Sequence, residues 1–270
     1  MSEPFEKPLV GVPVSVTLVN KRQTRNHGSA ERYLKAVAGG AGAVPMLIPA
    51  LPDTFDARDT ARRIVLCCQR LAAQGLIAGQ DGNISVRLAP NRVLVSPGGL
   101  FKALLTPADL VEVDLAGQKR RGRRNPTSEL DLHLRILARR PDVMAVVHAH
   151  PPIATGFAVA GEGFDRLVLP ELVLLLGRVP LVPYGTPGTK ELGDRVEPYL
   201  EGHDGWLLAN HGAVTVGPTL DAAWMRMESL EHAARIIYAA RALGRVTELT
   251  SEAAARLEES RWRAQREPDA

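Results

Sequence analysis

Two histidines separated by a single residue are the feature of this chain with the clearest chemical use. His148 and His150 follow the apolar run 143–147, which predicts a buried β-strand. Side chains alternate between the two faces of a strand, so both imidazoles are expected to point the same way. Such a pair suits a first-row metal ion; a pair of hydrogen-bonded structural histidines is the alternative.

A third imidazole in a similar setting is that of His211. It follows the apolar run 206–209 and precedes Gly212, which permits a sharp turn. Three protein ligands and one open position are the pattern of catalytic zinc. Three other histidines occur in polar or helical settings and are interpreted as surface or packing residues: His27, His203 and His232.

The polar segment Asn-Pro-Thr-Ser-Glu opens a predicted helix at 128–139. Thr127 and Ser128 offer hydroxyl groups, and the first amides of a helix attract anions, although a plain helix cap is the alternative. Glu129 could bind a metal ion or move a proton. His133 lies on the same helical face, where a supporting or packing role is expected.

Two tight turns flank predicted strands, at 82–85 and at 96–99. Their small residues would let the backbone approach a ligand closely, but they are also ordinary turn chemistry. The glycines at 39–42 follow a helix rather than a strand, which argues against a dinucleotide-binding loop, and no H-E-x-x-H helix occurs.

Alternating strands and helices are expected to position these groups. Residues 8–17, 30–38 and 44–49 predict a compact strand–helix–strand unit, with a domain boundary near residue 53. Beyond it, further strands are predicted at about 84–88, 93–95, 111–114, 144–148, 181–183 and 206–209. Further helices are predicted at about 57–75, 128–139, 151–160, 189–201 and 219–244.

The composition is that of a globular protein, with 45% apolar and 23% charged residues among 270. This length suits one large domain, or one domain with an appendage. No run of eighteen apolar residues occurs, and the N-terminus does not resemble a signal peptide, so we expect a cytoplasmic protein without a membrane partner. The adjacent Cys67 and Cys68 suit reduced, buried thiols.

One dense basic cluster occupies 119–124 in a chain of net charge +3. No aromatic residue is interleaved with it, which argues against a nucleic-acid partner. We interpret the cluster as a solvated loop that attracts an anionic substrate.

The order of the polar motifs resembles that of the class II aldolase/adducin family, and most closely its L-fuculose-phosphate aldolases. The resemblance covers about 54–245, within a predicted domain at 54–250. The motifs are G-N-I-S at 82–85, S-P-G-G at 96–99, P-T-S-E at 126–129, H-A-H at 148–150, Y-G-T-P-G-T at 184–189 and A-N-H-G at 209–212. The resemblance implies a three-layer α/β/α fold with a central, mostly antiparallel sheet. It also implies a homotetramer with active sites between subunits.

The same resemblance implies roles for individual residues. His148, His150 and His211 match the zinc ligands of the family. Glu129 matches its catalytic acid/base, which also binds the metal before substrate arrives. Four further residues match the phosphate-binding positions: Asn83, Gly99, Thr127 and Ser128.

The implied activity is that of a lyase in carbohydrate metabolism. Zinc, or another divalent metal ion, would stabilise an enediolate while a ketose 1-phosphate is cleaved to dihydroxyacetone phosphate and an aldehyde. Alternatives on this scaffold are a pentulose-phosphate 4-epimerase, a methylthioribulose-phosphate dehydratase and an oxo-acid sugar-phosphate decarboxylase. Adducin-like interaction modules lack the three histidines, which favours an enzyme here.

The chain departs from the family in two places. Fuculose-phosphate aldolases carry a tyrosine after the H-x-H segment, but 169–177 contains none, and Tyr238 is the candidate substitute. Residues 1–53 instead resemble the first βαβ unit of γ-glutamyl-γ-aminobutyrate hydrolases, of the class I glutamine amidotransferase fold. The nucleophile of that fold is absent, so a non-catalytic appendage is expected. Residues 251–270 are expected to form a polar tail with a final short helix.

Overall fold

The structure, a computed structural model, describes residues 56–266 and, before them, only the backbone of four strands. The chain divides into two units, Met1–Thr54 and Phe55–Ala270. The strands of the first unit are β1 (Leu9–Val14), β2 (Thr17–Leu18), β3 (Arg25–Asn26) and β4 (Val44–Pro49). β1 pairs with β4 in parallel, as a strand–helix–strand unit requires. The helix predicted at 30–38 lies outside the described residues.

The second unit contains an eight-stranded sheet with the order β10-β11-β12-β9-β5-β6-β7-β8. Every pair is antiparallel except β10 with β11. The strands are β5 (Asn83–Ala89), β6 (Arg92–Val95), β7 (Val111–Val113), β8 (Lys119–Arg121), β9 (Ala145–Ala149), β10 (Leu181–Val182), β11 (Gly205–Leu208) and β12 (Gly212–Gly217).

Seven α-helices of the described residues accompany this sheet. They are α1 (Ala57–Ala73), α2 (Leu130–Arg139), α3 (Pro152–Val159), α4 (Pro170–Leu175), α5 (Lys190–Val196), α6 (Leu220–Ala242) and α7 (Ser251–Arg266). Short 3₁₀ turns occupy Lys102–Leu104, Pro107–Asp109 and Glu197–Tyr199. None of these helices is long and apolar enough to cross a membrane.

Two apolar cores lie on opposite faces of the sheet, because strand side chains alternate. One core joins residues of α1, α3 and α6 to Ala145, Val147 and Ala149 of β9. The other joins residues of α2 and α5 to Val146. The predicted three-layer α/β/α fold with a mostly antiparallel sheet is therefore confirmed.

The two longest helices begin at polar caps. The Asp56 side chain accepts from the amide of Arg58 at the start of α1, and Thr219 accepts from Ala222 at the start of α6. One face of α6 is buried and carries Ala223, Met227, Leu230, Ala234 and Ile237. Gly244 follows this helix with a φ of +137°, which only glycine adopts readily.

Three elements differ from the sequence prediction. The basic segment expected as a loop contains β8, an exposed edge strand whose three charged residues carry no alternating apolar signal. β12 was not predicted, because it is buried on both faces and shows no alternation. The six-residue helix α4, also unpredicted, occupies the stretch in which the family tyrosine is missing.

Candidate metal centre and phosphate site

Strand β9 brings the first two candidate ligands to one face of the sheet. His148 is its fourth residue and is fully buried. His150 follows the strand directly, and its amide donates to the carbonyl of Leu76 at 3.0 Å. Because Val146 packs into the core beneath α2, the alternation places both imidazoles on that same side.

His211 arrives from the tight connection between β11 and β12. Asn210 has a φ of +56°, and the amide of His211 donates to the carbonyl of Leu208 at 3.0 Å. A Cβ atom on Gly212 would lie 2.6 Å from the carbonyl oxygen of Ala149 and 2.6 Å from Cδ2 of His150. Only glycine therefore allows this turn to bring the third imidazole up to the other two.

The three imidazoles form a compact triangle. Their ring centroids are 5.0 Å apart for His148 and His150, 4.8 Å for His148 and His211, and 5.1 Å for His150 and His211. One nitrogen of each lies within 4.8 Å of the others. The Nε2 atoms of His148 and His150 are 3.1 Å apart, close to the roughly 3.3 Å between two nitrogens on one tetrahedral zinc ion.

Glu129, immediately before α2, lies beside two of these imidazoles. Its Oε2 is 3.1 Å from Nε2 of His148, and its Oε1 is 3.3 Å from Nε2 of His211. The carboxylate is buried. These distances allow the carboxylate to share an ion with the histidines or to exchange a proton beside it.

The outer hydrogen bonds fix the tautomers of two imidazoles. Nδ1 of His148 donates to the carbonyl oxygen of Ala213 at 2.9 Å. Nδ1 of His150 lies 3.4 Å from a carboxylate oxygen of Asp81, which can only accept. When both imidazoles are neutral, their two Nε2 lone pairs face each other at 3.1 Å. A shared cation relieves that repulsion, so the donor set fits a metal ion.

The ionisable groups of the site change one another's pKa values. Burial raises the pKa of the Glu129 carboxyl, but His148 and Asn83 outweigh burial and hold that pKa well below its usual range. Burial lowers the pKa of His148, yet the neighbouring Glu129 raises it above the ordinary value. Burial, reinforced by His148, lowers the pKa of His150 and brings the pKa of His211 to about 4. His150 and His211 are therefore neutral near pH 7, the form that binds metals.

A series of hydrogen-bonded side chains also contacts Glu129. The Asn83 amide donates to Oε2 of Glu129 at 2.8 Å, and its oxygen accepts from Nε2 of His133. Nδ1 of His133 lies 2.7 Å from the hydroxyl of Ser85. The sequence indicated only a supporting or packing role for His133, and no signal in it pointed to Asp81.

The predicted phosphate-binding residues Thr127 and Ser128 precede α2 rather than opening it, since this helix begins at Leu130. The expectation of free first-turn amides is therefore wrong for Thr127, whose amide donates to the carbonyl of Ser96 at 3.2 Å. The Thr127 hydroxyl accepts from the amide of Glu129 at 3.4 Å. Ser128 is exposed, so its hydroxyl remains accessible.

Three turns meet around Ser128. A Cβ atom on Gly98 would lie 3.7 Å from its amide nitrogen, and one on Gly188 would lie 3.3 Å from its Cβ. Gly99, with a φ of +69°, has open space where a side chain would be. The turn at 96–99 and the 184–189 loop thus both approach Ser128, which directly precedes Glu129 in the sequence.

A buried lysine joins two of the turns that border the site. Nζ of Lys102 donates to the carbonyl oxygen of Gln80 at 2.7 Å and to that of Leu100 at 3.1 Å. Burial lowers the pKa of this ammonium group. No sequence signal indicated this role, because neither partner is a side chain.

Several other candidate groups lie outside the site. Nδ1 of His203 lies 3.1 Å from the carbonyl oxygen of Tyr199 and 3.0 Å from that of Glu201. His232 is exposed on α6. Tyr238 is also exposed on α6. In the basic cluster, Arg120 pairs with Asp114 and Arg124 with Asp109. His27 lies outside the described residues.

This fold and this site define a class of protein, and comparison with known families agrees. Residues 62–238 match the family described as Class II Aldolase and Adducin N-terminal domain. The chain belongs to this family, as its motifs predicted.

Its relatives include aldolases and a decarboxylase. The chain is 34% identical over 171 residues to an L-fuculose phosphate aldolase of Methanococcus maripaludis, covering 63% of this chain and 92% of that protein. It is 34% identical over 183 residues to a 5-deoxy-D-ribulose 1-phosphate aldolase of Bacillus thuringiensis, covering 67% and 85%. It is 34% identical over 170 residues to a 3-oxo-tetronate 4-phosphate decarboxylase of Pectobacterium atrosepticum, covering 61% and 77%.

Solved structures show the same fold. An L-fuculose 1-phosphate aldolase superposes with a TM-score of 0.70 at 29% identity, covering 74% of this chain and 95% of that one. The L-fuculose-1-phosphate aldolase of Thermus thermophilus gives 0.62 at 32% identity, covering 72% and 100%.

Proposed function

We propose that this chain is a divalent-metal-dependent aldolase that cleaves a ketose 1-phosphate to dihydroxyacetone phosphate and an aldehyde. The observation that carries the proposal is the position of Glu129, whose two carboxylate oxygens lie 3.1 and 3.3 Å from Nε2 of His148 and His211. A buried acid beside three convergent imidazoles combines a metal site with a proton-transfer group.

His148, His150 and His211 would hold the ion, which we take to be zinc or another divalent metal. When bound, it supplies a Lewis acid that stabilises the negative charge developing beside the substrate carbonyl. Ala213 and Asp81 orient two of the three imidazoles through their Nδ1 atoms. This arrangement holds the ligand nitrogens in place before an ion arrives.

Ser128, Gly99 and Thr127 would bind the substrate phosphate. The exposed hydroxyl of Ser128 and the open space beside Gly99 support this placement. Ser128 directly precedes Glu129 in the sequence, and Gly98, the neighbour of Gly99, lies against the Ser128 backbone. Asn83 is the fourth candidate, although its side chain already contacts Glu129 and His133.

Glu129 would move the proton during cleavage. Its pKa lies below the usual range, so near pH 7 the group is an ionised base. It can take a proton from the substrate hydroxyl and return it to the carbon from which the aldehyde departs. Burial of the carboxylate limits its exchange with bulk water.

A decarboxylase of an oxo-acid sugar phosphate is the second candidate, supported by the relative from Pectobacterium atrosepticum. Loss of carbon dioxide and loss of an aldehyde both leave negative charge beside a carbonyl, so one site can serve either reaction. Carbon dioxide leaves from an ionised carboxylate that has no proton to give up, which agrees with the absence of a tyrosine from 169–177. Epimerase and dehydratase activities are further outcomes of the same assay.

The experiment is a panel of phosphorylated ketoses, pentuloses and 3-oxo acids incubated with the metal-loaded enzyme. Release of dihydroxyacetone phosphate, formation of C4 epimers, loss of water and release of carbon dioxide are followed in the same samples. Triose release from a ketose 1-phosphate is expected. Carbon dioxide release without triose would replace the aldolase with the decarboxylase.

We also propose a homotetramer in the cytoplasm, with active sites between subunits. The support is the family resemblance, since the enzymes it resembles share residues across subunit contacts. Light scattering of the purified protein should give about four times the chain mass of 29.2 kDa. A monomer that turned over substrate normally would contradict this assembly.

A further inference from the structure

Four buried side chains form a continuous chain of hydrogen bonds that ends on Glu129. The hydroxyl of Ser85 lies 2.7 Å from Nδ1 of His133, and Nε2 of His133 contacts the Asn83 oxygen. The Asn83 amide then donates to Oε2 of Glu129 at 2.8 Å. Ser85 and His133 are completely buried, so bulk solvent does not reach the contact between them.

The ionised Glu129 carboxylate determines which group donates and which accepts in each of these hydrogen bonds. An ionised carboxylate only accepts, so the Asn83 nitrogen must face it and the Asn83 oxygen must face His133. His133 therefore donates through Nε2, and its Nδ1 accepts from the Ser85 hydroxyl. Burial lowers the pKa of His133 to about 3, which keeps the ring neutral with a single N–H.

The sequence spacing explains how these groups meet. Asn83 and Ser85 are two residues apart on β5 and point to the same face of the sheet. His133 lies four residues after Glu129, so α2 sets the two above one another. One imidazole can then bridge both strand residues while the carboxylate meets Asn83.

We infer that His133 is a positioning residue for the proposed reaction: its Nε2–H anchors the Asn83 oxygen, so that the Asn83 amide stays against the Glu129 carboxylate and holds it in place. The inference rests on the proposed function of Glu129. Without the Nε2–H donor, the buried Asn83 oxygen loses its partner and the amide can rotate away from the carboxylate. The carboxylate then loses its one side-chain amide donor and moves from its place beside His148.

Two substitutions at His133 separate this role from simple packing. The amide nitrogen of a glutamine at position 133 lies near the position of the imidazole Nε2 and can still donate to Asn83. The amide nitrogen of an asparagine lies near the position of Nδ1 and cannot reach Asn83. His133→Asn should lower kcat by about tenfold to a hundredfold, with KM and metal content nearly unchanged. His133→Gln should restore most of that loss, and Ser85→Ala should change kcat little, because the Nε2 donor persists.

Thermal unfolding of all three variants provides the control for packing. Equal losses of kcat in His133→Gln and His133→Asn would overturn the inference, as would losses that follow unfolding temperature. A rise in KM at constant kcat would also overturn it, because Asn83 would then act on the phosphate.

Imidazole ¹⁵N NMR of the unsubstituted protein tests the same inference without turnover. The neutral Nε2–H tautomer is expected for His133, with a side-chain amide of Asn83 that shifts in Glu129→Gln. An Nδ1–H tautomer would overturn the inference whatever the activity. Failure of every phosphorylated substrate, with the expected tautomer and shift, would count against the proposed function alone.

Discussion

Gly212 lies directly against the imidazole of His150: a Cβ atom there would be 2.6 Å from Cδ2 of that ring. The contact joins β12 to the end of β9. Because Gly212 has no side chain, the imidazole of His211 can lie next to that of His150. The third candidate ligand thus depends on a neighbour that has no side chain.

Removing one candidate ligand tests the metal centre. His148→Ala should lose most of the bound metal and nearly all activity, because two imidazoles and a carboxylate remain where four donors met. Elemental analysis of protein purified without chelator measures the ion directly. His232→Ala, an exposed histidine on α6, is the matched control and should keep both. Full metal content in His148→Ala would show that the site is wrong.

A negative charge at Ser128 tests the phosphate placement. Ser128→Asp should raise KM for a phosphorylated substrate by about a hundredfold, since like charges at close range cost several kcal/mol. Metal content should not change. The control is Ser251→Asp, at the exposed start of α7, where an acidic residue is tolerated. An unchanged KM for Ser128→Asp would place the phosphate elsewhere.

Neutralising Glu129 separates metal binding from proton transfer. Glu129→Gln should keep most of the metal on the three histidines but lower the rate of carbon–carbon cleavage by about two orders of magnitude or more. Triose release and C4 epimer exchange are followed together. Cleavage at the original rate would exclude Glu129 as the proton-transfer group. Epimer exchange without triose in the unsubstituted enzyme would replace the aldolase assignment.

The buried neutral His133 predicts a pH dependence of stability. Its pKa is about 3 in the folded protein and about 6.5 when unfolded, so between these values the unfolded chain binds the extra proton. The contribution of His133 to the free energy of unfolding is therefore fully present above pH 6.5 and is lost as the pH falls towards 3.

Urea unfolding of the metal-free protein between pH 7 and 5 measures that loss. Relative to His133→Gln, the unsubstituted protein should lose up to about 1.4 kcal/mol more per pH unit below 6.5. Ser85→Ala retains the imidazole and should keep the steep slope. Parallel curves for the unsubstituted protein and His133→Gln would contradict the buried neutral ring.

The first unit should be dispensable for chemistry. A chain beginning near Thr54 lacks none of the candidate site residues, all of which belong to the unit Phe55–Ala270. Its kcat should stay within about twofold of the full chain, a change worth less than about 0.5 kcal/mol in barrier. Lost turnover in a folded, correctly assembled truncation would instead show that residues 1–53 shape the site.

The candidate ligands could be predicted from the sequence because strand geometry is local. The spacing of His148 and His150 follows from a side-chain period of two, and Gly212 marks the turn at His211. The order of the six motifs then indicated the family and its fold. Each of these signals is contained in a few neighbouring residues.

Contacts between distant segments required the tertiary structure. Asp81 approaches His150, Lys102 links two turns through carbonyl oxygens, and Asn83 turns its amide towards Glu129 rather than to open solvent. The pairing of β5 with β9 sets Asn83 opposite His148, and the start of α2 places Glu129 beside both. Their residue types alone cannot reveal such pairings, since a buried polar group takes whichever partner the packing supplies.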